Sequence, residues 1–303
     1  MKENFLQCIN CPVCSGDNNG KLFSILHNKS QVLHILGIKD KNILADIVQC
    51  NICAHKYMTP VIQEELMNEY YSVLNSEFYN ATNDKLTNLN EKEYNNYCNI
   101  IKSYKSAGKV LEIGCGKGFL LKTLAEQGFD CSGIEPSPKA YEFAKNVLKL
   151  NVENSFLTGS SFYKEKFDVI ILIDVAEHIL NMQVFMEEVN TVLKEGGIIF
   201  IGTGNIESFN AKFAAANWAY FVSWEHVSFF NKKSMRYLLE KNRFNNINIT
   251  ETSLQHKPMV NMLEFAKNVF KKLMNPFLRN KYYHGITYDH FIVTATKQST
   301  PHS

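Results

Sequence analysis

A buried strand running straight into glycines at every second position constrains this 303-residue chain more than any other feature. Residues 110–118 read VLEIGCGKG, and a helix is expected to open near Phe119. Glycine at 114, 116 and 118 removes three side chains, so main chain can lie directly against a ligand. The spacing is not the dinucleotide fingerprint, which would put glycine where Phe119 stands, and the Lys-Ser/Thr of a P-loop is missing. Glu112 is expected to face the same crevice from the strand end. A carboxylate there is a poor neighbour for a pyrophosphate and suits a ligand with a positively charged part.

Three further blocks follow. CSGIEPSPKA (131–140) is a short strand ending in an acid, Glu135, where a carboxylate can accept from both ribose hydroxyls. FDVIILIDVAEHIL (167–180) is a hydrophobic strand with Asp174, Glu177 and His178 at its mouth. VLKEGGIIFIG (192–202) ends a helix on two glycines and enters another buried strand. In this order the four blocks resemble the class I S-adenosylmethionine-dependent methyltransferases, whose methyl donor carries an ammonium and a sulfonium. The resemblance implies a cofactor-binding set of Glu112, Gly114, Cys115, Gly116, Gly118, Glu135, Pro136, Ser160 and Asp174. Ser160 enters because the family often has an acid there for the adenine amino group, whereas this chain reads Thr158-Gly159-Ser160-Ser161.

Periodicity predicts strand 109–113, helix 118–127, strand 130–134, helix 138–149, a strand near 152–157, strand 167–173, helix 181–194 and strand 197–202. Such alternation implies a parallel sheet with helices on both faces and ligand outside the carboxyl ends of the strands. FNNINIT (244–250) and DHFIVTATK (289–297) supply the antiparallel edge expected of the family. The fold class is therefore α/β, a Rossmann-like doubly wound sheet with a small N-terminal zinc-binding module.

That module rests on cysteine spacing. Five of the eight cysteines lie in the first 53 residues, and Cys11-x-x-Cys14 and Cys50-x-x-Cys53 form two knuckles. Two such turns complete a tetrahedral S4 site that suits zinc, and four sulfurs leave no open position, so the metal is expected to be structural. Cys8 extends the first knuckle as a substitute ligand. His55 stands too close to Cys53 to be a natural fourth ligand and is expected beside the site or on the surface. VLHILGI, from Val32, is expected to pack as a small layer of its own.

The knuckles, Tyr57-x-x-Pro60 and the tyrosine-rich EYYSVLNSEFY (69–79) are similar to the N-terminal region of certain sugar methyltransferases. These include deoxysugar C-methyltransferases and relatives found with polysaccharide-biosynthesis enzymes, in which the module helps cover the active site. The likeness runs from about residue 8 to about 250. It divides the chain into a zinc-binding module (1–60), a helical linker or cap (61–107) and a methyltransferase domain (108–303) with a lid over 203–231. Apolar positions at helical spacing, among them Leu66, Tyr70, Tyr94, Tyr97, Ile101 and Tyr104, mark the cap.

The lid segment is aromatic and carries Glu225-His226, followed by Phe229-Phe230. Trp218, Tyr220, Phe221 and Trp224 serve equally as core or as pocket wall. In the C-methyltransferases the pattern is Tyr-x-Glu-His and acts in deprotonation; here Ser223 stands where that tyrosine would be, and the long C-terminal domain of that group is not expected. O-methylation of a sugar, glycan precursor or other small metabolite is thus expected. C-methylation of a nucleotide-linked sugar, or a protein that binds cofactor or a partner without catalysis, are the alternatives. His226 is the first choice of general base, Glu225 orients it or binds a substrate hydroxyl, and His178 is the rival base.

Composition sets limits. Net charge is +2, and the 32 basic residues include three arginines, which argues against a sequence-reading nucleic-acid partner. No apolar run approaches the ~20 residues that span a bilayer, and the N-terminus shows no signal-like segment. A cytoplasmic monomer or homodimer is expected. In 257–283, Lys257, Lys267, Lys271, Lys272, Arg279 and Lys281 face one acid, Glu264, and the apolar residues share a helix face. Such a helix suits a membrane surface or anionic partner, but more often packs on its own domain or across a dimer.

Overall fold

The uninterrupted apolar runs of the central strands are explained by burial on both faces of one seven-stranded sheet. The structure, a computed structural model, describes residues 4–27, 31–38, 42–73, 88–221, 224–252 and 289–299. The N-terminal part contributes β1 (Leu6–Gln7), β2 (Asn19–His27), α1 (Gln31–Ile35), β3 (Ile43–Cys50), β4 (Lys56–Thr59), β5 (Val61–Ile62), α2 (Glu64–Val73) and α3 (Asn88–Tyr104). Then come β6 (Lys109–Ile113), α4 (Phe119–Glu126), β7 (Asp130–Ile134), α5 (Pro138–Glu142), β8 (Asn151–Glu153), β9 (Phe167–Ile173), α6 (Met182–Val192) and β10 (Leu193–Gly204). The chain closes with α7 (Phe209–Ala214), β11 (Ser228–Phe229), α8 (Lys232–Lys241), β12 (Phe244–Thr252) and β13 (His290–Lys297).

Strand order in the large sheet is β12-β13-β10-β9-β6-β7-β8. β13 runs antiparallel to both β10 and β12, and the remaining pairs are parallel. Alternate residues divide between two cores. Leu111, Ile170, Leu172, Ile199 and Ile201 pack with Met186 and Val189 of α6 and Leu238 of α8. Val110, Val169, Ile171 and Phe200 pack with Tyr97 and Ile101 of α3 and Leu120 of α4. The expected doubly wound fold with its antiparallel edge is therefore present. β8 stops at Glu153, short of the expected 157, and 157–159 and 161–164 are single 3-10 turns. The helix expected over 138–149 becomes a π turn after Glu142, with Leu148 N–H reaching Phe143 O.

Gly118 shows why the loop needs glycine. Its φ is +78°, and an added Cβ would lie 2.5 Å from Leu150 Cδ1 and 3.2 Å from Ala144 Cβ. Gly118→Ala is expected to destabilise the fold by about 1–3 kcal/mol, through left-handed strain plus overlap. An unchanged urea midpoint would contradict that.

The smaller sheet has the order β11-β4-β3-β2, so its edge strand comes from the 203–231 segment. Cys11, Cys50, Cys53 and Tyr57 belong to the same core as Leu111, Leu172 and Leu238. VLHILGI does not make a layer of its own: Val32, Leu33 and Leu36 pack with Trp218, Phe221 and Trp224. Those aromatics are too large to leave in water and cover the apolar face that α1 offers. His55 is not at the surface either. It is fully buried, lying parallel to Tyr57 at 6.3 Å and against Phe230 at 4.8 Å. Segment 257–283, Ser223 and residues 74–79 lie outside the described residues. Among the described residues no helix is long and apolar enough to cross a membrane.

Candidate active site

The glycine loop joins β6 to α4 at the carboxyl edge of the sheet. Gly116 has φ +53°, and a Cβ there would meet nothing within 4 Å, so the loop borders open space that a ligand can occupy. Beside it Glu135, buried at the end of β7, accepts from Gly116 N–H and Ser137 N–H, each at 2.8 Å. Each carboxylate oxygen keeps a second lone pair, enough for two ribose hydroxyls. Burial raises the Glu135 carboxyl to about 7 against the pull of those two N–H groups. Glu112 is buried too, and its Oε2 has no partner among the described residues. Burial, then the charge of Glu135, pushes its carboxyl to about 8. An acid oxygen without a protein partner, beside an open glycine cradle and the Glu135 carboxylate, fits a ligand with a cationic end and a diol, as S-adenosylmethionine has; a cation there would favour the ionised form of Glu112.

The other expected cofactor residues have mixed placements. Cys115 is buried, and its N–H and that of Gly114 both donate to Ile134 O, so it shapes the loop. Pro136 O accepts from Asn154 Nδ2 at 2.9 Å, which ties the β7 end to the turn after β8. Ser160 Oγ donates to Glu153 Oε2 at 2.7 Å and accepts from Phe162 N–H. Its donor is therefore committed within the protein, to an acid, Glu153, that also accepts from Ser161. Asp174 has φ +52°, donates its N–H to Gly202 O, and turns a half-exposed side chain into the strand mouth.

Opposite the loop, the lid brings its histidine to the EH pair after β9. His226 Nδ1 lies 2.8 Å from Tyr220 O, so Nδ1 carries the proton and Nε2 keeps a lone pair. Its ring lies 4.1 Å from the Tyr220 ring and 4.8 Å from that of His178. Burial, then His178, lowers His226 to about 4. His178 Nδ1 in turn faces Glu225 O at 3.0 Å and Tyr71 Oη at 3.1 Å.

Glu177 is fully buried and takes one hydrogen bond from Thr203 Oγ1, at 2.7 Å, and another from the Tyr220 hydroxyl. Burial alone would raise its carboxyl, but His178, His226 and Tyr220 hold it below the usual range. A carboxylate oxygen of Glu177 and nitrogens of His178 and His226 lie within 4.8 Å of one another, close enough to share a cation. Both oxygens of Glu177 already serve lid side chains, which makes it the anchor of Tyr220.

Five residues here escape sequence reasoning. Tyr71 and Tyr220 were visible only as members of aromatic runs. Thr203 looked like an ordinary strand residue. Asp289 and His290 open β13, with His290 Nδ1 2.7 Å from Asp289 Oδ1 and Nε2 3.9 Å from Asp174 Oδ1. The Asp-His pair ahead of an apolar strand was the available signal.

The four cysteines expected as ligands do come together. Cys11 and Cys53 sulfurs lie 3.5 Å apart, as do those of Cys14 and Cys50, and all four sulfurs fall within 4.8 Å. A zinc with sulfurs at ~2.3 Å spaces them by ~3.8 Å, so the cluster fits a tetrahedral ion and is too wide for disulfides. Cys8 is exposed and outside the cluster.

Comparison with known proteins supports the methyltransferase domain and its fold. The family model described as a methyltransferase domain matches residues 89–249, just over half of the chain. A ubiquinone biosynthesis O-methyltransferase of Pelagibacter ubique is 33% identical over 138 residues, which are 42% of this chain and 58% of that protein. Its namesake in Bartonella tribocorum is 25% identical over 162 residues, 50% of this chain and 65% of that protein. The chain thus spans about half to two thirds of the length of the curated relatives it matches. Among solved structures, the [4+2]-cyclase SpnF superposes with a TM-score of 0.55 at 13% identity, covering 79% of this chain and 98% of its own.

Proposed function

The chain belongs to the methyltransferase-domain family, of the class I S-adenosylmethionine-dependent fold, and from that premise we propose that it transfers a methyl group to a hydroxyl of a small metabolite. The observation that carries the proposal is His226. Its Nδ1–H is held by a main-chain carbonyl, which leaves the Nε2 of this lid residue unprotonated. A fold alone does not make a transferase, as the cyclase neighbour shows by its name, so the site must carry the case.

Bound S-adenosylmethionine supplies an activated methyl group that needs no acid to leave. The chain's residues bind, orient and take a proton. Glu135 holds the ribose hydroxyls, Glu112 faces the cationic end, and the glycine loop lets main chain approach. Glu177 holds Tyr220, and Tyr220 holds His226 by its carbonyl and ring. His226 Nε2 then accepts the acceptor's hydroxyl proton as the new bond forms, while Glu225 and His178 border the acceptor. Alignment of the two reacting groups supplies much of the rate enhancement. Zinc on Cys11, Cys14, Cys50 and Cys53 is structural in this proposal.

For the acceptor, the relatives' names point to a hydroxyl and to ubiquinone biosynthesis, not to a sugar. A sugar or glycan precursor remains the class that the four-cysteine module suggested. The deciding experiment incubates pure protein with methyl-labelled S-adenosylmethionine, a panel of phenolic and sugar acceptors and a host extract, beside a Glu135→Ala control. Label in a hydroxylated metabolite, lost in the control, is expected. Label in protein or RNA, or none while cofactor binding persists, would overturn the proposal.

Cofactor affinity should depend on pH. The ionised form of Glu135 accepts the ribose hydroxyls, and its carboxyl is raised to about 7. Below that value the protonated acid loses an acceptor site, so binding is expected to tighten as pH rises from 6 to 8. Calorimetry showing weaker binding over that range would reverse the assignment.

A further inference from the structure

The lid histidine reaches its place through the four-cysteine knuckle. β3 ends on Cys50, the second knuckle turns, and Cys50 N–H closes the turn on His55 O at 2.8 Å. β4 begins at the next residue, so its position is set where the sulfurs converge. It pairs with β11 in one register, Tyr57 opposite Ser228 and Lys56 opposite Phe229. One residue before β11, Val227 accepts from Met58 N–H through its carbonyl and donates its own N–H to Glu177 O, both at 2.9 Å. His226 is covalently joined to Val227. A second tie runs from Asn231 Nδ2, at the start of α8, to Ala54 O in the knuckle at 3.2 Å. The segment is thereby fastened to the cysteine turn at Asn231 and to β4, the strand that leaves the turn, at Val227.

Packing reinforces these bonds. Tyr57, Met58, Phe229 and Phe230 are fully buried, with His55 wedged against Phe230. Among the described residues the glycine-loop amides bond within the large sheet, although the knuckle cysteines share a core with Leu111 and Ile113 of β6. Gly114 and Cys115 bond to Ile134, Gly116 to Glu135, and β6 pairs with β7 and β9.

The geometry points to a division of labour in which the four-cysteine knuckle, through β4 and Val227, positions His226 for catalysis, while the hydrogen bonds that shape the glycine loop stay within the large sheet. The role rests on His226 acting as proposed above, but the coupling itself is read independently of turnover. A displacement of about 1 Å at a reacting group can cost ~100-fold in rate. The knuckle therefore governs kcat and not cofactor affinity. Without an ion, four converging sulfurs must spread or re-protonate, and β4 moves with Cys50.

The test uses the full chain, with its metal content first measured by mass spectrometry and then removed with a thiol-reactive mercurial and chelator. Hydrogen exchange is followed peptide by peptide, with cofactor binding by calorimetry. Amides at 56–59 and 226–229 are expected to lose protection together, while 110–118 stays protected and cofactor affinity holds within about twofold. Zinc added back should restore both segments, and where an acceptor is in hand kcat should fall ~100-fold with the cofactor KM unchanged. Cys14→Ser, a milder change at the half-exposed member of the cluster, should show the same pattern in part. Three results would overturn the proposal: no metal on the purified chain, protection at 226–229 surviving its removal, or loss of protection throughout the large sheet. The last would make the knuckle a general staple of the fold. Absence of turnover with every acceptor would count against the methyl-transfer proposal and leave the exchange result to decide the coupling.

Discussion

Replacing His226 by alanine is expected to lower kcat about 10²–10⁴-fold, the usual worth of a positioned general base, while S-adenosylmethionine affinity is unaffected. The physical reason is local. His226 offers one free nitrogen, and its other is fixed by Tyr220 O. None of its observed partners belongs to the glycine loop. The pH profile adds a second check. Burial lowers the imidazole to about 4, so the neutral, proton-accepting form prevails above that value. kcat should therefore be flat from pH 5 to 8 and fall only near 4, not at the usual histidine value of ~6.5. His178→Ala provides the comparison, because its Nδ1 also meets a main-chain carbonyl. A larger loss at 178 than at 226 would exchange their roles. A fall in kcat centred near 6.5 would show that the base is not the buried ring described here.

Glu135→Ala is expected to act on the other half of the site. Two ribose hydrogen bonds to a carboxylate are worth roughly 1.5–3 kcal/mol each, so affinity for S-adenosylmethionine should weaken ~10²–10⁴-fold. The substitution also strands Gly116 N–H and Ser137 N–H, which both point at the lost oxygens. Calorimetry and a thermal melt separate the two consequences. A lower melting temperature with unchanged cofactor affinity would reduce Glu135 to a loop fastener. Gln at 135 keeps the shape but presents an NH2 group to one of the two N–H donors, and should give an intermediate loss. Opposite effects are thus expected from two single changes, turnover without affinity at 226 and affinity first at 135.

Much of this site lay open in the chain because its signals are local. VLEIGCGKG announces a buried strand and a loop that must take left-handed φ, and Gly116 and Gly118 do so. Glu135 follows at the end of the next strand, since parallel βα units return each strand end to the same edge. The paired knuckles needed only spacing and sulfur chemistry, and their four sulfurs meet. Boundaries that failed did so where side chains compete with regular structure. β8 ends early because Glu153 takes the Ser160 and Ser161 hydroxyls and the Ser161 N–H, which turns the chain away from the sheet.

What the amino-acid order determined by itself was the class of fold, the glycine loop with its left-handed turns and the cysteine cluster, because each depends on residues close in sequence or on a strict periodicity. Tertiary structure alone decided how the lid is held. Thr203, Tyr220 and Glu177 meet from three segments, and β11 pairs with β4 across some 170 residues of chain. No short-range pattern encodes such a meeting, since each partner is an ordinary strand, loop or core residue until the sheet edges bring them together. His55 makes the same point: its main chain lies beside the cysteine cluster, as its place after Cys53 suggests, but only packing against Phe230 shows that its ring is core and not surface. Long-range burial, which removes water from groups that carry no local signal, is the physical reason that the acceptor side had to be seen to be read.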